Sequence, residues 1–135
     1  MHTINKGFSL IELLVVITVA SLMIAISTVS YTTAQRSARD SRRIRDMREV
    51  QTAFEQYYAV NQAYPNETEG NIDTAFNASR PVDPKSGSYL FENTSATAYC
   101  ICALLENATG NAQAPTSTAC TWNDTENYYC IQNQQ

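Results

Sequence analysis

Histidine is almost absent from this sequence, and glycine is scarce. His2 is the only histidine, and the 135 residues include four glycines. The sequence has no glycine-rich phosphate loop, no catalytic pair of carboxylates, and no combination of a nucleophile, a base and an orienting group. The residues therefore predict a protein that is not an enzyme.

No glycine or proline occurs between Gly7 and Pro65, so no helix-breaking residue interrupts this stretch. In its second half, apolar side chains recur at steps of three and four residues and form one stripe of an amphipathic helix. The stripe consists of Ile44, Met47, Val50, Phe54, Tyr57 and Tyr58. We predict one helix from residue 8 to about residue 60, with an apolar half at 8–31 and an amphipathic half at 32–60.

Charge is nearly missing from the apolar half. From Phe8 to Tyr31 the ionisable side chains are Glu12 and the terminal Tyr31. A helix of about 24 residues crosses a hydrocarbon core of roughly 30 Å, which predicts a membrane segment. A charge within such a segment costs about 2.5–3.5 kcal/mol on insertion scales for Asp and basic residues. Glu12 is therefore expected to have a partner.

Basic residues are missing from the last part of the chain. Residues 86–135 contain four acidic residues and no lysine or arginine, whereas six arginines lie within residues 36–48. The net charge of −4 gives no general attraction for nucleic acid, and no nucleic-acid site is evident. Asp46, Glu49 and Glu55 interleave with the arginines, which favours a solvated helix face. The basic and acidic segments are expected to pack together, within one chain or between copies.

Cysteine is absent before residue 100. An even number of cysteines in a small domain behind an apolar segment favours two disulfides and an oxidising compartment. The alternative is a zinc site, but C-x-C followed by gaps of 17 and 9 residues matches no common zinc-ligand spacing. Cys100 and Cys102 would point to the same face of a strand. For antiparallel strands we predict the nested pairs Cys100–Cys130 and Cys102–Cys120.

Residues 61–135 are rich in Asn, Thr, Ser and Ala and contain three short apolar pieces. The pieces are SYLF at 88–91, AYCICALL at 98–105 and NYYCIQN at 127–133. They predict short strands in a loop-rich globular domain, and with the helix they indicate the α+β class.

The amino terminus resembles a known family. A short leader ends in Lys6-Gly7, the residues FSLIE follow at 8–12, and the apolar run comes next. This pattern resembles type IV prepilins and the pseudopilins of type II secretion, whose class III signature KGFSLIELLVV matches. The segments ARDSRRIRDMREV, RPVDPKSGSYLF and YCICALLEN are similar to later parts of bacterial pilins and major pseudopilins. The resemblance implies a type IV pilin-like fold, with one long helix packed on a small antiparallel sheet and a disulfide-bonded carboxyl-terminal region.

The resemblance also implies a function. Residues 1–7 would be a leader, and prepilin peptidase would cut after Gly7 and methylate the new amine of Phe8. Glu12 would then meet the amine of a neighbouring copy in a helical homopolymer. The protein would lie in the inner membrane, meet the pilus assembly machinery there, and finish in a surface filament. The expected function is the major structural subunit of a type IV pilus.

Two alternatives remain open from the sequence, namely a major pseudopilin of type II secretion and a membrane-anchored binding module. The arginines after the span would by their number place the carboxyl end in the cytoplasm, as in a plain single-pass anchor. Major pseudopilins carry a calcium site, and Asp83, Asp124 and Glu126 offer oxygen ligands. Their spacing matches no fixed calcium loop, so we expect turn residues with Asp and Asn side chains as caps, and no cofactor.

Overall fold

The computed structural model describes residues 7–76, 79–85, 88–89, 91–107 and 110–135, without the side chains of 27–30. The chain divides into two compact units, a first unit up to Gln35 and a second unit from Arg36 to Gln135. The elements are the helix α1 (Leu10–Asn61), a 3-10 helix (Ile72–Ala75) and the strands β1 (Cys100–Leu104) and β2 (Tyr128–Gln132). A long amino-terminal helix, a two-stranded antiparallel sheet and two disulfides confirm the predicted α+β, pilin-like class.

The first unit contains the apolar half of α1. By length and composition, α1 is long and apolar enough to cross a membrane. The large apolar side chains from Phe8 to Ile26 are exposed within the chain itself. Their burial must therefore come from surroundings other than this unit, such as lipid or other copies of the helix.

The helix ends where the backbone turns left-handed. Gln62 has a φ of 56° and donates its backbone N–H to the carbonyl of Tyr58 at 2.8 Å. Asn61 caps another terminal carbonyl through its side chain, at 2.9 Å from Tyr57 O. Pro65 follows shortly, as is common after a helix end. The helix boundary agrees with the prediction of about residue 60.

The core of the second unit forms along the predicted stripe. Met47, Val50 and Phe54 are fully buried, while Ile44, Tyr57 and Tyr58 are half-buried. The Phe54 ring meets the Tyr99 ring edge-on, with centroids 5.0 Å apart. Burial of each such side chain contributes about 1.5–3 kcal/mol. The stripe therefore holds the amphipathic half of α1 against the globular part.

The two strands present different faces to different clusters. In β1, Ile101 and Ala103 join the aromatic core, whereas Cys100 and Cys102 join a smaller cluster with Cys130. This alternation confirms that Cys100 and Cys102 share one face. The piece SYLF is different, because Ser88, Tyr89 and Phe91 lie outside any strand in the described residues. Tyr89 and Phe91 are buried in the core, which explains why this piece is apolar without forming a strand. The prediction of a strand was wrong for these residues.

The four cysteines form two disulfides, but the predicted nested pairing is wrong. The structure joins Cys100 to Cys120 and Cys102 to Cys130. The antiparallel register explains the second pair, because Cys130 lies directly opposite Cys102 and Gln132 lies opposite Cys100. With Cys130 taken, Cys100 pairs with Cys120, whose Cα lies 5.3 Å away.

Candidate assembly site and buried charge network

The proposed cleavage point lies just outside the helix. Gly7 and Phe8 precede α1 in irregular backbone, and the Phe8 side chain is 86% exposed. The space around Gly7 is open, since a Cβ built there would meet nothing within 4 Å. The bond between these residues is therefore accessible and free of helical hydrogen bonding.

Glu12 supplies one half of a capping box in the first turn of α1. Its Oε2 atom accepts the backbone N–H of Ser9 at 3.0 Å, and the Ser9 carbonyl accepts the N–H of Glu12 at 3.1 Å. A Ser followed three residues later by Glu is the sequence signature of such a cap. The SLIE residues at 9–12 contain this signature. Ser9 is thus a residue of the site that sequence reasoning missed.

One carboxylate oxygen of Glu12 remains available. Among the described residues, no partner contacts its Oε1 atom. The nearby hydroxyls serve their own helix, because Thr18 donates to the carbonyl of Val15 and Ser21 donates to that of Ile17. Toward the described residues, Glu12 is therefore an anionic group with unused hydrogen-bonding capacity in the otherwise apolar half of α1, and it suits an additional cation.

The amino-terminal segment matches one known family. Residues 3–28 match the prokaryotic N-terminal methylation motif. The chain carries the class III prepilin signature. This signature is that of type IV pilin-like proteins, which are structural subunits and not enzymes. Neither the curated proteins nor the solved structures gave a match.

The prepilin signature includes the predicted site residues Gly7, Phe8 and Glu12, and also Ser9. It implies processing by a prepilin peptidase and assembly into a filament. The match does not reach the second unit, whose candidate residues must be understood from their geometry alone.

An arginine lies buried at the centre of a charge network in the second unit. Arg43 is 3% exposed and binds Asp83 through two hydrogen bonds, of 2.6 Å from Nε and 3.2 Å from Nη2. Its Nη1 atom donates to Asp40 at 2.9 Å and to Glu106 at 3.1 Å. The prediction that the arginines form a solvated face was wrong for Arg43. This residue lies one turn before Met47 on the buried face of the helix.

The network ties the helix to the end of β1. Arg39 binds Glu106 through two hydrogen bonds of 2.6 and 2.7 Å. Asp40 accepts the backbone N–H groups of Glu106 and Asn107 at 2.9 and 3.0 Å. The hydrogen bond from Arg39 and, after it, that from Arg43 lower the pKa of Glu106 to about 2. The basic segment thus packs on an acidic residue of its own chain.

A second carboxylate, Glu55, accepts hydrogen bonds from two tyrosine hydroxyls near the end of the helix. Tyr64 and Tyr99 each donate to it at 3.0 Å, and the backbone N–H of Gln134 donates at 3.1 Å. Burial and the hydrogen bond to Glu55 raise the pKa of Tyr64 to about 12. Burial and the charge of Glu55 also raise the pKa of Tyr99. Glu55 therefore fixes the carboxyl terminus to α1.

Of the residues considered for calcium, Asp83 has other contacts, whereas no described residue binds the side chain of Asp124 or Glu126. Asp83 is held by Arg43 and also accepts the N–H of Lys85 at 2.8 Å, which is the turn-capping role expected for it. In the turn before β2, Asn123 caps the N–H of Thr125 at 3.1 Å. Within the described ranges, the one group of three or more potential metal ligands is the four cysteines, whose sulfurs lie within 4.8 Å of one another. These sulfurs are joined in disulfides.

Proposed function

We propose that the protein is the structural subunit of a type IV pilus, and that it forms the shaft as a helical homopolymer. The observation that carries the proposal is Glu12, which lies within the class III signature and in the apolar half of α1, with one carboxylate oxygen that no described residue contacts. Lipid offers no cation at that depth, whereas a neighbouring processed copy would.

The pairing follows from the chemistry of processing. Cleavage after Gly7 creates an amine on Phe8, and a methylated secondary amine stays protonated near neutral pH. Glu12 of one copy would accept this charge from its neighbour in a bundle of staggered helices. Pairing removes most of the penalty of two isolated buried charges. It would also fix the axial register of helices whose remaining contacts are apolar packing.

The proposal assigns a role to each part of the chain. Residues 1–7 are the leader, and residues 8–31 anchor the subunit in the membrane before becoming the filament core. Residues 32–60 join this core to the globular part, residues 61–135, which forms the filament surface. The subunit would move from the inner membrane to the cell surface with the help of the assembly machinery.

A short periplasmic pseudopilus of type II secretion is the second candidate. The segment with Arg39, Asp40 and Arg43, and the Asp83-Pro84 turn, are similar to major pseudopilins as well as to pilins. The two disulfides favour the pilus. Electron microscopy of sheared surface material tests the choice, because the pilus predicts long filaments rich in this chain.

Mass spectrometry of the assembled protein tests the processing step. We expect a chain that begins at Phe8 and carries one added methyl group. An intact Met1 terminus in assembled material would contradict the proposal and would favour an uncleaved, membrane-anchored binding module.

A further inference from the structure

The second unit exposes arginines on the outward side of its helix. Arg42, Arg45 and Arg48, which we call the arginine stripe, are exposed. Arg45 lies two residues from both Arg43 and Met47, so it points about 200° away from the buried face. Arg42 lies 3.8 Å from Asp46, but Arg45 and Arg48 form no ion pair with any described residue.

An acidic surface lies in the turn before β2. Trp122 is half-exposed, Asp124 is exposed and Glu126 is half-buried. The side chain of Asn123 fixes this turn by accepting both the N–H and the hydroxyl of Thr125. No described cation pairs with either carboxylate, and residues 86–135 contain no lysine or arginine. We call Trp122–Glu126 the acidic turn.

We propose that the arginine stripe of one subunit binds the acidic turn of a second copy of this chain. The proposal rests on the assembly into filaments proposed above. Carboxylates accept paired hydrogen bonds from a guanidinium group, and the exposed indole offers a face on which the guanidinium can stack. The acidic turn thus has both chemical groups that recognise arginine, and Arg45 and Arg48 of the stripe form no ion pair with a described residue.

A second copy fits these surfaces better than an anionic lipid does. Within one chain, Arg39 and Arg43 already occupy Glu106, and no ion pair joins the stripe to the turn among the described residues. A head-to-tail contact between two different surfaces repeats at each step of an open helical filament. A lipid would neutralise the stripe but would leave the acidic turn without a partner.

Reversal of charge in the full-length protein in its host tests this contact. Replacing Arg45→Glu and Arg48→Glu, or Asp124→Arg and Glu126→Arg, should each lower the yield of sheared filaments more than about tenfold, because like charges then face each other. Combining all four substitutions should restore the yield to within about threefold of wild type, since opposite charges face each other again. The control combines the arginine reversals with Glu67→Arg, an exposed acidic residue elsewhere, and should show no recovery.

The outcomes separate this contact from the proposed function. If the wild-type chain assembles and the combined variant does not recover, or if neither reversal lowers the yield, the charge contact is wrong and the pilus assignment stands. If the wild-type chain gives no filament, both proposals fail. A loss of filaments in the arginine variant beside a wild-type yield from the acidic-turn variant would overturn the contact in favour of anionic lipid, which needs the stripe but not the turn. Immunoblots of membranes and Trp122 fluorescence show whether each variant is present and folded.

Discussion

The two units of the chain carry their charges in different ways. In the second unit, Asp40, Arg43 and Asp83 are buried, and each has an opposite charge within hydrogen-bond distance. No buried side-chain nitrogen or oxygen in the described part of the chain lacks a partner. In the apolar half of α1, Glu12 accepts one backbone N–H, and no described cation lies beside it.

This difference separates charges that build the subunit from a charge that we propose joins subunits. Removing one member of a buried pair leaves the other charge unpaired and is strongly destabilising. The network around Arg43 should therefore matter for folding. Glu12 should matter for assembly, because no described charge depends on it within the chain.

Reduction of both disulfides should have the largest effect on stability. The bridges span 20 and 28 residues and should stabilise the second unit by roughly 3–4 kcal/mol each in the chain-entropy model. We expect reduction to loosen the carboxyl-terminal part and to leave the apolar half of α1 helical. Urea titration of the full chain in detergent, followed by Trp122 fluorescence and circular dichroism, measures both. Complete loss of helix on reduction would show that the helical structure of the first unit depends on the folding of the second.

Arg43→Leu should cost about 3–5 kcal/mol, because it leaves Asp40 and Asp83 buried without their common partner. The matched control is Arg45→Leu on the outward face, which should stay within about 0.5 kcal/mol of wild type. Urea midpoints of the full chain in detergent compare the two. Equal effects of the two substitutions would contradict the structural role of the network.

Tyr99→Phe should cost about 1.5–3 kcal/mol, the usual contribution of a hydrogen bond to a charged group. It removes the hydroxyl donated to Glu55 while keeping the ring against Phe54. Thermal unfolding of the wild type and the variant gives the difference. Tyr57→Phe is the control, since the Tyr57 hydroxyl forms no hydrogen bond with a described residue and its ring is half-buried.

The same tyrosines predict a loss of stability in alkali. The folded state raises the pKa of Tyr64 from 10.0 to about 12, so it holds the proton more tightly than the unfolded chain. The stabilisation is complete below pH 10 and is lost as the pH rises from there towards 12. Urea midpoints measured across this range should fall, and a flat profile would contradict the buried contact with Glu55.

A loss at acid pH should be the smallest of these effects. The pKa of Glu106 is lowered from 4.5 to about 2, so its contribution is present above pH 4.5 and is lost as the pH falls towards 2. Glu106→Gln should lower the free energy of unfolding at neutral pH. It should also reduce the fall in stability between pH 4.5 and pH 2. If the acid profiles of the variant and the wild type are parallel, the ion pair with Arg39 does not contribute.

Local patterns predicted the fold better than they predicted the buried charges. The spacing of Met47, Val50 and Phe54 predicted the buried face of the helix, and strand alternation placed Cys100 and Cys102 on one face. Helical spacing places Arg43 on the same face as Met47, but the partners that allow its charge to be buried were not predictable, because Asp83 and Glu106 lie 40 and 63 residues away along the chain. The disulfide pairing depended on a strand register that only tertiary packing sets.

Substitution of Glu12 tests the central claim most directly. Glu12→Gln removes the charge but keeps the length and the capping ability, since Gln also serves in a capping box. We expect this variant to enter the membrane and to keep the wild-type urea midpoint of the second unit, but to give almost no filaments. Glu12→Val should insert equally well and also fail to assemble, and Glu12→Asp should assemble poorly because its carboxylate is one methylene shorter. Normal filaments from Glu12→Gln would contradict charge pairing between subunits.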